Sequence, residues 1–137
     1  MTVLVCGGRK YSDAARVASV LGKIHGKTPI TRIVHGNAGE VDPVLLRDVG
    51  ADRLAGIWAV ARGIDVHPYP AHWDRFGKAA GPMRNQEMVD AERPQLVVAF
   101  PGGKGTADMI ARAQRSRVPV QFVEGEQELF FHKEAKP

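Results

Sequence analysis

Leu96-Val97-Val98-Ala99-Phe100-Pro101-Gly102-Gly103-Lys104-Gly105-Thr106 is the stretch whose reading decides the fold: an apolar run passes through a glycine loop straight into a helix-like segment. Strand, loop and helix start coincide there. Glycines let a backbone approach an anion closely, and the first N–H groups of a helix have no partner inside it, so such a junction suits a phosphate. Taken alone the loop also reads as an ordinary glycine-rich turn, and its meaning depends on its surroundings.

Working outward, the same unit recurs. Val3-Leu4-Val5-Cys6 reads as a first strand ending in Gly7-Gly8-Arg9. A helix should follow from about Ser12 or Asp13, both suitable N-caps, to His25, with Val17, Val20, Leu21 and Ile24 forming one buried stripe and Gly26 and Pro29 stopping it. Ile30 to Val34 is a β-branched second strand closed by His35-Gly36-Asn37. A second helix over Ala51 to Arg62 carries the stripe Leu54, Ile57, Trp58 and Ala61 and is capped by Gly63; Ile64 to Tyr69 reads as a third strand. The segment 39–50 is long for a strand-to-helix connection and contains Val44-Leu45-Leu46, which predicts a flap or an extra helical turn over a cleft, or else a plain insertion.

Residues 71–81, with His72, Trp73, Asp74, Arg75, Phe76 and Lys78, read as an ordered surface loop. A short helix from about Met83 to Glu92, the strand Leu96 to Phe100, a helix from about Gly105 to Ser116 and a strand within Val118 to Val123 complete the series. Strands alternating with helices, each strand nearly uniformly apolar, predict a parallel sheet covered on both faces. The expected fold is therefore α/β: one Rossmann-like three-layer domain over residues 1–125, with a mainly parallel sheet of about five strands. Residues 126–137 form a C-terminal tail whose Leu129, Phe130 and Phe131 could dock on the body or on a partner. In such sheets ligands bind beyond the carboxyl ends of the strands, where Gly7-Gly8-Arg9, His35-Gly36-Asn37 and Pro101 to Thr106 all fall.

Composition bounds the function. A chain of 137 residues, 44% hydrophobic and 25% charged, supports one compact core. No apolar stretch approaches the roughly 18–20 residues of a membrane span, and no signal-peptide pattern opens the chain, so no membrane partner is expected and a cytoplasmic setting fits best. The single cysteine, Cys6, reads as a small buried residue, with no cysteine pair for zinc. A net charge of +4 favours an anionic partner without resembling a nucleic-acid arm. After the first strand the chain lacks a G-x-G-x-x-G frame, no acidic residue closes the second strand, and Lys104 lies inside its glycine loop, so neither a dinucleotide oxidoreductase nor a P-loop hydrolase is indicated. Ser12, Ser19 and Ser116 sit in no nucleophile elbow, and His67, His72 and Asp74 lack metal-ligand spacing. Neither metal nor cofactor is expected.

Taken together, Val5-Cys6-Gly7-Gly8-Arg9, Tyr11-Ser12-Asp13, His35-Gly36, Gly50 to Ala55, Gly77 to Asn85 and Pro101 to Met109 resemble the SLOG superfamily. That group includes the "lonely guy" cytokinin-activating phosphoribohydrolases and the DNA-processing protein A; the chain looks like its small stand-alone YspA, or YpsA-related, branch. The resemblance implies that Pro101, Gly102, Gly103, Gly105 and Thr106 cradle a phosphate, with Gly7, Gly8 and Arg9 as the opposite wall, and it implies a dimer. Arg9 could grip phosphate bidentately. Arg84-Asn85 matches an active-site arginine of the phosphoribohydrolase branch and implies phosphate or ribose contact; a capping or salt-bridging arginine is the other reading. His35 and Gly36 close the second strand, where His35 contacts ligand or satisfies the loop. Asp52 either hydrogen-bonds a ribose hydroxyl or caps the second helix.

The phosphoribohydrolase pattern ends P-G-G-x-G-T-x-x-E, and its glutamate position is Met109 here. A thioether cannot do a carboxylate's proton chemistry, and Asp108 next door is rotated about 100° along a helix. The preferred expectation is a module that binds or senses a nucleotide or an ADP-ribose-like ligand. An alternative is a nucleotide N-glycosidase using Arg84 with Asp108 as catalytic groups. A third is single-stranded DNA binding, with arginines tracking phosphates and Trp73 or Phe76 stacking on bases.

Overall fold

The computed structural model describes residues 1–124. β1 (Thr2–Cys6) runs into a glycine turn and α1 (Ala14–Lys27); β2 (Arg32–His35) is followed by a two-stranded ribbon, β3 (Glu40–Val41) and β4 (Asp48–Val49). Then come α2 (Ala51–Ala61), β5 (Asp65–Pro68), α3 (Trp73–Phe76), a 3₁₀ turn (Gly77–Ala79), α4 (Ala80–Glu92), β6 (Leu96–Ala99), α5 (Lys104–Arg115) and β7 (Val120–Phe122). The main sheet has the order β5-β2-β1-β6-β7, and all its pairings are parallel. The expected α/β Rossmann-like architecture with five parallel strands is what the chain adopts.

Alternation along the strands builds the three layers. Val3, Val5, Ile33 and Val98 point to one face, where α1 contributes Val17 and Leu21 and α2 contributes Leu54, Ala55, Trp58 and Ala59. Leu4, Cys6, Val34, Val97 and Ala99 point to the other, against Met88 and Val89 of α4 and Met109 and Ala113 of α5. Both faces of β1 and β6 are buried, which is why these strands read as unbroken apolar runs. The sheet order reverses between β1 and β6, so the carboxyl ends of these strands open a crevice between their loops.

Local signals set most boundaries. The Asp13 carboxylate accepts the Arg16 N–H and caps α1, which runs through Gly26 to Lys27 because the β-region Thr28 and then Pro29, not the glycine, end it. Gly63 at φ +70° ends α2 as expected. On α2 the buried stripe is Leu54, Ala55, Trp58 and Ala59, while Ile57 is 47% exposed, a rotation of the face read from the sequence.

Two connections differ from expectation. Residues 39–50 form a β-ribbon rather than a helical turn. The Asp42 carboxylate accepts the Val44 and Leu45 N–H groups, turning the chain, and Leu46 takes φ +52°. The ribbon closes at Gly39 (φ +132°) and Gly50 (φ +106°), where a Cβ on Gly50 would lie 2.5 Å from the Gly39 Cα. Residues 71–81 are helical for most of their length. α3 and the 3₁₀ turn run directly into α4, which starts three residues before Met83 and places Arg84 and Asn85 one turn inside the helix. The tail residues Leu129, Phe130 and Phe131 lie outside the described residues.

Candidate functional site

A cleft of about 390 Å³ sits at the crevice between β1 and β6. One wall is the entry to α5. Gly103 caps the helix with its backbone alone, no side chain accepts the first-turn N–H groups as a cap, and no acidic residue lies in that turn; Asn85 Nδ2 donates instead to the Gly105 carbonyl at 3.3 Å. The first helical hydrogen bond runs from the Ala107 N–H to the Gly103 carbonyl, so the preceding amides of the turn have no intrahelical acceptor. The positive end of the helix dipole therefore meets the cleft at Gly103, Gly105 and Thr106.

The two glycine loops are bonded to each other: the Gly8 N–H donates to the Pro101 carbonyl at 2.8 Å. Contact is close enough to require glycine. A Cβ on Gly102 would fall 2.2 Å from Thr106 Oγ1 and 2.8 Å from the Gly8 nitrogen. A Cβ on Gly103, by contrast, would meet no protein atom within 4 Å.

The opposite wall is built on Gly36. The Asp52 carboxylate, on the first turn of α2, accepts the N–H of Gly36 at 3.0 Å and of Ala38 at 3.1 Å through Oδ2. Asp52 thus anchors the loop after β2 and does not cap its own helix, whose N-cap is Gly50. Its other oxygen, Oδ1, is buried without a partner, and burial lifts the carboxyl to about 6 against the opposing pull of the Ala38 N–H, the Arg84 charge and the Gly36 N–H. Arg84 Nη1 donates to the Gly36 carbonyl and, at 3.3 Å, to the Tyr69 carbonyl; Nε donates to Asn85 Oδ1. Burial lowers the Arg84 pKa, while Asp52 and Asp108 hold it up.

Of the residues named from the sequence, Gly7, Gly8, Arg9, Gly36, Asp52, Arg84, Asn85, Gly103, Gly105 and Thr106 line this cleft. Pro101 and Gly102 face an adjoining hollow with Ile110 and Phe122. His35 is buried behind the wall and lines a groove with Gly56, Ile57 and Val60. Its Nδ1 accepts the Asn37 N–H at 2.9 Å, and burial, with the Arg84 charge, lowers the imidazole to about 4. Asp108 does not line the cleft. Its Oδ2 accepts from Arg112 Nε at 2.8 Å and Asn85 Nδ2 at 3.0 Å; burial alone would raise its pKa, but these bonds and the Arg112 and Arg115 charges leave it lowered. The cleft-lining neighbour is Met109. Residues 39–50 contribute nothing to the lining, whereas Asn37, Ala38, Pro70, Ala71, Trp73 and Met88 do. Among the described residues no group of three or more His, Cys, Asp or Glu side chains converges as a metal site, and no helix is long and apolar enough to cross a membrane.

A doubly wound parallel sheet with a cleft at the reversal of strand order defines a Rossmann-like α/β domain. The model of the YspA, cpYpsA-related SLOG family matches residues 1–76. Gene 61 protein of Mycobacterium phage D29 is 35% identical over 124 residues, covering 86% of this chain and 92% of the phage protein. The chain belongs to the YspA, cpYpsA-related SLOG family. Membership points to a nucleotide-related function.

Proposed function

We propose that the cleft binds a nucleotide or nucleotide-derived ligand, with its phosphate on the α5 N-terminus and a ribose hydroxyl on Asp52. The observation that carries this reading is the pairing, in one cleft, of an uncapped 12-residue helix with a buried carboxylate oxygen lacking a partner. The first suits an anion and the second a hydroxyl donor. Arg84 adds a cation beside them, and Arg9 reaches the rim from the β1 loop.

Binding or sensing is favoured over N-glycoside cleavage by what surrounds the missing glutamate. Met109 is 1% exposed in the core, and Asp108 is held by Arg112 and Asn85 outside the lining. Calorimetry with adenosine 5′-monophosphate and ADP-ribose, alongside chromatography for free base, tests the proposal. Saturable binding without base release supports it. Base release overturns the binding-only reading, and absence of binding to every nucleotide tried overturns the cleft assignment. The dimer implied by the family resemblance is also a proposal: Val41, Val44, Leu45 and Leu46 of the ribbon are all more than half exposed, and light scattering of the wild type and Leu46→Asp tests whether they hold two copies together.

A further inference from the structure

Trp73 is 54% exposed and lines the cleft. It is the one aromatic side chain in that lining among the described residues. The ring is not loose: a Cβ on Gly81, on the first turn of α4, would lie 2.9 Å from Trp73 Cη2 and 3.6 Å from Cζ2 and Cζ3, so the six-membered ring rests on helix backbone that only glycine leaves bare. Phe76, the other aromatic of α3, is outside the lining and has the Arg75 guanidinium 5.2 Å from its ring centre. The indole is thus fixed against α4 while much of its surface stays open beside a cleft whose remaining walls supply an uncapped helix end, a carboxylate and a guanidinium. Those polar groups suit phosphate and sugar and leave the planar part of a nucleotide without a partner.

We infer that Trp73 is the platform on which the base of a single bound nucleotide stacks. The inference rests on the cleft reading above and adds to it the subsite for the base. The cleft volume of about 390 Å³ lies near the lower end of the roughly 300–1,000 Å³ common for ligand sites, which matches one nucleotide rather than two. Stacking on an aromatic face strengthens binding by roughly 5- to 150-fold per base and tolerates different bases. The site therefore discriminates base-bearing ligands from bare sugar phosphates more strongly than it discriminates adenine from uracil.

The experiment compares adenosine 5′-monophosphate with ribose 5-phosphate on the full chain, by calorimetry and by tryptophan fluorescence. Trp58 is 5% exposed, so quenching by ligand reports Trp73. The nucleotide is expected to quench and the sugar phosphate to bind without quenching. Trp73→Ala should lower nucleotide affinity by about 5- to 150-fold and leave ribose 5-phosphate affinity unchanged, and Trp73→Phe should keep most of the nucleotide affinity. Equal nucleotide affinity in wild type and Trp73→Ala, with binding still lost in Gly103→Asp, overturns the platform and leaves the cleft reading standing. Failure of both compounds to bind the wild type overturns both. Quenching by a thymidine oligonucleotide but not by the mononucleotide overturns the inference in favour of nucleic acid.

Discussion

Asp52 and Arg84 hold opposite ends of one residue: the carboxylate accepts the Gly36 N–H, and the guanidinium donates to the Gly36 carbonyl. Two groups of opposite charge, 32 positions apart in sequence, are thereby fixed across a single residue at the cleft wall. Neither is neutralised by a direct bond to the other, so both keep polar capacity for a ligand.

Arg84→Ala should lower affinity for adenosine 5′-monophosphate by about 10- to 150-fold, the loss expected for a hydrogen bond to a charged group of roughly 1.5–3 kcal/mol. Arg84→Lys should restore little, because an ammonium cannot hold the Gly36 carbonyl and a phosphate in one planar fork. Unchanged affinity in Arg84→Ala would remove Arg84 from the site.

Gly102 and Gly103 are adjacent and should respond in opposite ways. Gly102→Ala forces a carbon against Thr106 Oγ1 and the Gly8 nitrogen and should lower the melting temperature. Gly103→Asp projects into open space at the N-cap of α5, where a carboxylate is favoured over glycine by about a few tenths of a kcal/mol. The Gly103 variant should melt no lower than wild type and yet lose nucleotide binding, because its own anion occupies the helix end. Retained binding in that variant would place the phosphate elsewhere.

Asp52 and His35 give opposing pH dependences. Asp52 is raised from 3.8 to about 6 by burial, so its stabilising contribution is complete below about 3.8 and is lost as pH rises through 6. His35 is lowered from 6.5 to about 4, first by burial and then by Arg84, so its contribution is complete above 6.5 and is lost as pH falls towards 4. Each shift corresponds to about 3 kcal/mol, and between pH 6.5 and 4 they offset. Asp52→Asn removes one arm. Urea melts should show the variant losing about 3 kcal/mol relative to wild type between pH 7 and pH 4. Parallel pH profiles for the two proteins would refute this.

Glu92, with a side chain only 6% exposed, closes a second cluster at the far end of α4. It accepts from Tyr69 Oη at 2.6 Å, meets His67 Nδ1 at 2.9 Å and pairs with Arg32 at 3.3 Å. Burial alone would raise its pKa, but these partners leave it lowered, while the hydrogen bond to Glu92, with burial, pushes the Tyr69 phenol up to about 12. Glu92→Ala should cost about 1–2 kcal/mol in chemical denaturation, since it removes the acceptor of a half-buried hydroxyl and of a guanidinium that keeps partial access to water. A loss under 0.5 kcal/mol would show the cluster to be solvated surface.

The central strands and the glycine loop were readable because burial on both faces makes a strand apolar throughout and because the glycine loop falls at a strand's carboxyl end together with Gly7-Gly8-Arg9 and His35-Gly36-Asn37. Asp52, Arg84 and Asn85 were reachable through motif resemblance. Their partners were not: that Asp52 would reach across to Gly36 depends on how α2 docks on β2, which no local spacing encodes. The ribbon at 39–50 escaped because Val44-Leu45-Leu46 suggests burial, yet Val44 is 86% exposed and the Asp42 side chain sets the turn. Trp73 was noticed as an aromatic in a polar stretch, but its place at the cleft depends on Gly81, eight residues on, giving the indole a seat.

The Gly8–Pro101 hydrogen bond ties the loops at the reversal of strand order into one continuous floor. Parting β1 from β6 there would break that bond together with the packing of Gly102 on Gly8. Pro70, Ala71 and Trp73, on the connection between β5 and α4, line the cleft outside that floor. On the nucleotide-binding reading proposed above, that connection is the side left to open, and the rate at which a ligand leaves should follow substitutions there more closely than any in the glycine loops.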